Sequence, residues 1–152
     1  TLKIAGTGPQ EKELKEKVRL LGLKNIIFLG HKSSTQLKKI IYNSKFVMLP
    51  SLCYDVFPTS VLETFSAGKP IVASKIGGIP EQVKNRANGL LFQAGNKNDC
   101  VRKILELWND QVLCRSLGMS ARICAEKNYG PEVHYKKLMK EFSRIVNLRN
   151  FE

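Results

Sequence analysis

A parallel β-sheet wrapped by helices on both faces is the fold that this sequence predicts, and three observations predict it. Short apolar runs alternate with amphipathic helical segments from the first residue onward. The runs are closed by Gly or Pro, as strands entering turns are. No internal repeat, low-complexity tract or long linker interrupts the alternation, so one domain is expected over residues 1–152.

The elements follow in order. Leu2 to Ala5 reads as a strand, Glu11 to Leu21 as a helix, Ile26 to Leu29 as a strand and Thr35 to Tyr42 as a helix. Phe46 to Leu49 is a short apolar strand closed by Pro50, and Ser60 to Ser66 is a helix that stops before Gly68. Ile71 to Ala73 is the next strand, Pro80 to Lys84 a short helix and Leu90 to Phe92 a last strand. Three helices then close the chain. In the first, Val101, Ile104, Leu105 and Trp108 share one face; in the last, Val133, Leu138, Phe142, Ile145 and Val146 do so, and both faces are expected to dock on the sheet.

Composition narrows the function. With 152 residues, 43% hydrophobic and 8% aromatic, the chain is an ordinary globular sequence. No apolar run approaches the roughly 20 residues of a membrane span, and no signal peptide is visible. The chain opens at Thr1 and runs straight into LKIAG, which leads us to expect a piece of a longer protein. Cys53, Cys100, Cys114 and Cys124 show no Cys-x-x-Cys spacing, and three of them fall in apolar helical patterns; buried free thiols in a reducing, cytoplasmic setting are expected. His31 and His134 are the only histidines, too few to build a zinc site with cysteine, so no metal is expected.

The net charge of +12 admits phosphorylated substrates, anionic lipid and nucleic acid. Lys12, Lys15, Lys17, Arg19, Lys38, Lys39, Lys136, Lys137, Lys140 and Arg144 lie mostly on helices that also have an apolar face, which fits solvated polar faces first and an anionic membrane surface second. No helix-turn-helix, zinc-finger or RNP-type pattern supports specific nucleic-acid binding. Gly6-Thr7-Gly8-Pro9 lacks the third glycine of the dinucleotide fingerprint, and no Gly-Lys-Ser/Thr follows, so neither a hydride-transfer site nor a P-loop is supported. That turn fits two readings, a backbone approach to a nucleotide or a plain strand-to-helix connection.

The stretch from Phe46 to Glu81, FVMLPSLCYDVFPTSVLETFSAGKPIVASKIGGIPE, is the most informative. It sets Asp55 in a loop leaving the carboxyl end of a strand and Glu63 in the next helix. Ligands of open α/β sheets bind at such strand ends, and helix amides there favour anionic groups. A sugar nucleotide suits both features, with a diphosphate for the helix start and hydroxyls for two carboxylates. Glu63 is the stronger of the two, being a lone acid among Val61, Leu62, Thr64, Phe65 and Ala67; an exposed helix glutamate is its alternative. For Asp55 the alternative is a turn or helix-capping aspartate. Thr59 and Ser60 can offer backbone N–H groups and hydroxyls to a diphosphate, whereas Pro58 cannot donate. Gly77-Gly78 reads as a tight turn beside the site and Glu81 as a first-turn helix charge.

These residues resemble the donor-binding signature of the GT-B glycosyltransferases of the GT4 type, the glycosyl transferases group 1. The elements are Pro50-Ser51, Asp55, Glu63, Gly68-Lys69-Pro70, Ile71-Val72-Ala73-Ser74, Gly77-Gly78-Ile79-Pro80-Glu81 and Asn88-Gly89-Leu90-Leu91-Phe92. The resemblance extends to Ile4-Ala5-Gly6-Thr7-Gly8-Pro9 and Ile27-Phe28-Leu29-Gly30 and covers most of residues 1–146. Two departures stand out: the first acidic residue is usually Glu where this chain has Asp55, and the Pro50 to Asp55 spacing is one residue longer than the commonest.

The resemblance implies a Rossmann-like C-terminal half of a GT-B fold that binds the nucleotide-sugar donor, UDP- or GDP-linked, with no further cofactor. It implies a retaining, metal-independent transfer of a hexose to a sugar or lipid-linked acceptor, in polysaccharide or glycolipid biosynthesis. Glu63 would hold the ribose hydroxyls and Asp55, the catalytic candidate, the hydroxyls of the transferred sugar. Thr59, Ser60, Gly6 and Gly8 would meet the nucleotide, and main chain at Gly30 and His31 the base. Retention is attributed in this family to front-face chemistry assisted by the leaving phosphate rather than to a carboxylate pair. The partner implied is an N-terminal acceptor domain of the same polypeptide, and the location is cytoplasmic, peripheral at the inner membrane face if the basic charge serves a membrane. A non-catalytic nucleotide-binding or scaffolding module of transferase-like fold is the alternative.

Overall fold

The computed structural model describes residues 1–149, which form two units divided between Ile40 and Ile41. In the first unit β1 (Leu2–Ala5) is followed by α1 (Glu11–Leu20), β2 (Ile26–Gly30) and the start of α2 (Ser34–Tyr42). β1 and β2 pair in parallel from Leu2 opposite Ile26, with a register shift between Ile4 and Ala5. α1 is held by local charge: Lys15 pairs with Glu11 at 2.7 Å and Arg19 with Glu16 at 2.6 Å, both spacings that a helix brings onto one side.

The second unit continues with β3 (Val47–Leu49), α3 (Thr59–Ser66), β4 (Ile71–Lys75), α4 (Ile79–Gln82) and β5 (Gly89–Gln93). Three helices follow: α5 (Lys97–Asn109), α6 (Gln111–Asn128) and α7 (Pro131–Arg149). The strands form a parallel sheet in the order β3-β4-β5, with Val47 opposite Ile71 and Ile71 opposite Gly89. Strand pleating sends alternate side chains to opposite faces, and both faces are covered. On one, Val47, Leu49, Ile71 and Ala73 pack with Val61 and Phe65 of α3, Ile79 of α4 and Ala121 of α6. On the other, Met48, Val72, Leu90 and Phe92 pack with Leu107 of α5 and with Cys114 and Leu117 of α6. A strand buried on both faces reads as a continuous apolar run, which is why Ile71-Val72-Ala73 stood out in the sequence.

Side-chain caps fix the starts of α5 and α6. Asn96 accepts a hydrogen bond from the Asp99 amide at 3.0 Å, and Asp110 accepts one from the Leu113 amide at 2.8 Å.

Two expected faces differ. α5 turns Cys100, Lys103, Ile104 and Leu107 inward, whereas Val101, Leu105 and Trp108 stay about half exposed, Trp108 at 54%. The two stripes are one residue, about 100°, apart. Lys103 hides the true one in the sequence, because its methylene stem is buried while its ammonium reaches Glu106 at 3.5 Å. Of the expected α7 stripe, Val133 is half-buried, whereas Leu138, Phe142, Ile145 and Val146 remain exposed instead of docking on the sheet, Phe142 at 51%. The thiols differ too: only Cys114 is buried, Cys100 and Cys124 are half-buried and Cys53 is exposed, although all four are free. Among the described residues no helix is long and apolar enough to cross a membrane.

Candidate donor site

In the second unit, the chain leaves β3 at Pro50, loops through Asp55 and enters α3 at Thr59. Pro58 stands at the N-cap with φ −64° and ψ 115°, and no side chain caps the helix. The Val61 amide turns back to the Pro58 carbonyl at 3.2 Å, while the amides of Thr59 and Ser60 have no acceptor among the described residues. An α-helix begins with donors that need partners and a partial positive charge, so this end is open to an anion.

Glu63 lies four residues after Thr59 and three after Ser60, hence on the same side of α3. It is half-buried, and its carboxylate has no hydrogen-bond or ion-pair partner among the described residues; only its carbonyl is used, by Ala67 and Ser66. A carboxylate with no partner in the protein keeps both oxygens available to accept a ligand's hydroxyls.

Asp55 is exposed, and the Phe57 amide donates to its Oδ1 at 2.9 Å. The turn-forming alternative is therefore realised, and Oδ2 remains for a ligand. The loop is held from below as well. The Gly78 amide donates to the Asp55 carbonyl at 2.8 Å, and a Cβ on Gly78 would stand 1.8 Å from the Val56 carbonyl oxygen. Gly77 has φ +55°, in the left-handed region that favours glycine. Gly77-Gly78 is thus the tight support under the loop that its sequence suggests.

Sequence reasoning missed one contact here. The Phe57 ring meets the Tyr129 ring edge-on, with centroids 5.7 Å apart. Burial raises the Tyr129 pKa, with Cys124 and Glu81 adding to it. Nothing in the linear pattern joins Phe57 to Tyr129. Ser74 and Gln82 were missed too: both are buried, and the Ser74 hydroxyl and both side-chain amide atoms of Gln82 lack hydrogen-bond partners among the described residues.

The other four candidates belong to the first unit. Gly6 follows β1 with φ +123° and donates its amide to the carbonyl of Gly30, which closes β2 with φ +65°, at 2.9 Å. The pair is thus brought together across the β1–β2 ladder. Gly8 accepts from the Glu11 amide at 3.1 Å, starting α1. Beside Gly6, Gly8 and Gly30 a side chain would find open space, and His31 is exposed. This is main chain that a ligand can approach.

Comparison with known proteins supplies the rest. Residues 1–123 match the family described as glycosyl transferases group 1. An uncharacterized glycosyltransferase of Methanocaldococcus jannaschii is 32% identical over 125 residues, covering 82% of this chain and 35% of its own length. The structure of Anabaena HepE with UDP superposes with a TM-score of 0.86 at 23% identity, over 95% of this chain and 41% of that one, and so shares the fold. HepE with UDP-glucose aligns at 25% identity and a TM-score of 0.83, with the same two shares of 95% and 41%. This chain thus spans between a third and a half of these relatives, and it belongs to the glycosyl transferases group 1 family, with the fold of the C-terminal-like domain of a GT-B glycosyltransferase.

Proposed function

We propose that this chain binds the nucleotide-sugar donor of a retaining, metal-independent glycosyltransferase that moves a hexose to a sugar or lipid-linked acceptor. The observation that carries the reading is the half-buried residue Glu63, whose carboxylate has no hydrogen-bond or ion-pair partner among the described residues, one turn below the uncapped start of α3. In this reading the ribose donates its two hydroxyls to the Glu63 oxygens. The diphosphate accepts from the Thr59 and Ser60 amides and lies against the positive end of the helix. The transferred sugar donates to Asp55 Oδ2, while Gly77-Gly78 keeps that loop from collapsing. In the first unit, Gly6, Gly8 and the main chain at Gly30-His31 serve the nucleoside.

None of these groups has to act as a base. Their work is to hold the donor while the departing diphosphate takes negative charge, which preorganised helix amides stabilise. The relatives support the reading, since HepE is described in complex with UDP and with UDP-glucose. The base, UDP or GDP, and a cytoplasmic place at a membrane face belong to this proposal, as does an acceptor domain in the same polypeptide.

Calorimetry with UDP, GDP and ADP tests it. One nucleoside diphosphate should bind the chain, and the Glu63→Ala chain should bind it more weakly. No binding of any of the three would return the chain to a scaffolding role. Residues 1–152 alone should transfer no sugar, because positioning the acceptor contributes several kcal/mol of the rate. Acceptor-dependent turnover by these residues near the rate of a full-length relative would refute the two-domain reading.

A further inference from the structure

The amino end of the β3-β4-β5 sheet, opposite the strand end that leads to Asp55, carries a cationic cluster that donor binding does not use. Ser44-Lys45 precede β3 and Lys69-Pro70 precede β4, joined by the Val47 amide on the Pro70 carbonyl at 3.1 Å. Together with Cys114 and Arg115 of α6 they line an open cavity of about 290 Å³.

The two lysines there are held without being neutralised. Lys45 Nζ donates to the Trp108 carbonyl at 2.5 Å and lies 5.0 Å from the Trp108 ring centroid. Lys69 Nζ stands 5.6 Å over the Tyr42 ring. Aromatic faces and carbonyls orient an ammonium and leave its charge intact. Arg115 has no hydrogen-bond or ion-pair partner, and no carboxylate pairs with any of the three, among the described residues. The acid nearby is Asp110, which is spent on capping α6, so the helix end itself offers no free site. Lys45, Lys69 and Asp110 all act on the Cys114 thiol at the cavity wall. Burial raises its pKa, the two lysines oppose that, and Asp110 adds to it.

We propose that this cavity binds a phosphate group. Three cations converge there from three separate segments of a chain with net charge +12, and a guanidinium fork matches phosphate oxygens bidentately. The same chemistry is carried by free phosphate, by a soluble phosphomonoester and by a phospholipid headgroup. Trp108 and Tyr42, 54% and 69% exposed, flank the cavity with amphipathic rings.

Amide chemical shifts of the 152-residue chain, followed during titration with inorganic phosphate, glycerol 3-phosphate or vesicles of phosphatidylcholine with phosphatidylglycerol, test this. Saturable shifts are expected at Ser44, Lys45, Lys69 and Arg115. Arg115→Gln, which breaks no hydrogen bond or ion pair among the described residues, should weaken binding about tenfold. The triple change K45Q/K69Q/R115Q should abolish it. K136Q/K137Q/K140Q removes the same charge from α7 and should change affinity less than about twofold. Saturation by the soluble probes assigns the site to free phosphate, and saturation by vesicles alone assigns it to a headgroup. Absence of saturable shifts with every probe, or equal weakening by the two triple variants, would overturn the proposal. Glu63→Ala should leave phosphate binding unchanged, so this site and the donor site fail separately.

Discussion

Residues 1–40 and residues 41–152 are written in the same alternation of strand and helix, yet only the second stretch builds a dry core. In the first, no residue is buried; Ile4, Val18, Ile26, Phe28 and Leu37 are half-buried at most. In the second, Val61, Phe65, Ile71, Val72, Ala73, Ile79, Leu90 and Leu107 are excluded from water. The difference teaches that patterning specifies the type of each element, while burial depends on how many layers are stacked on it. It also divides the candidate donor residues by kind. Those of the first unit offer open main chain at glycines, whereas those of the second offer two carboxylates, Asp55 in a loop and Glu63 on a helix packed into the core.

The largest effect should come from the core. Phe65→Ala is expected to destabilise by about 3–5 kcal/mol, and Phe28→Ala by roughly half as much, because only part of Phe28 leaves water on folding. Urea midpoints compare the two, and equal losses would erase the contrast between the units. Next is the donor. Glu63→Ala removes charged hydrogen bonds of about 1.5–3 kcal/mol and should weaken nucleoside diphosphate binding roughly ten- to hundredfold. His31→Ala, at an exposed position, should change it by about twofold or less. Calorimetry in which His31→Ala matches Glu63→Ala would move the weight of recognition to the first unit.

Backbone support gives a third comparison. Gly78→Ala drives a methyl into the Val56 carbonyl and should cost about 1–3 kcal/mol with a displaced loop, while Gly8→Ala meets open space and should stay within about 0.5 kcal/mol. Similar melting temperatures for the two variants would remove Gly77-Gly78 as the support of Asp55. The smallest and most selective effect belongs to Asp55→Ala. It should weaken the intact sugar nucleotide about tenfold, one charge-assisted hydrogen bond, and leave the free diphosphate nearly unchanged. Equal losses for both ligands would reassign Asp55 to the nucleoside or to the fold.

Much of this was legible in advance. The local pattern of Leu2–Ala5 marks β1 at its observed bounds, and that of α3 and β4 marks them to within a residue or two, because strands and helices impose periods that local sequence must obey. The fold class was legible for the same reason, and the spacing of Asp55 and Glu63 across a turn and a helix start was visible because both lie in one continuous segment.

The sequence by itself therefore determined the order of elements, the parallel α/β class and the segment that carries the candidate donor residues, all of which follow from short-range periodicity. Tertiary structure alone decided which stripe of α5 turns inward, since Leu107, Cys100 and Ile104 pack with Val72, Leu90 and Phe92 of the sheet. It left the apolar stripe of α7 exposed where amphipathicity pointed to docking. It also placed Phe57 against Tyr129, and Lys45 and Lys69 beside Arg115. The physical reason is shared: these contacts join residues far apart in the chain, and a helix or a loop satisfies its local rules equally well in any of several orientations until packing selects one.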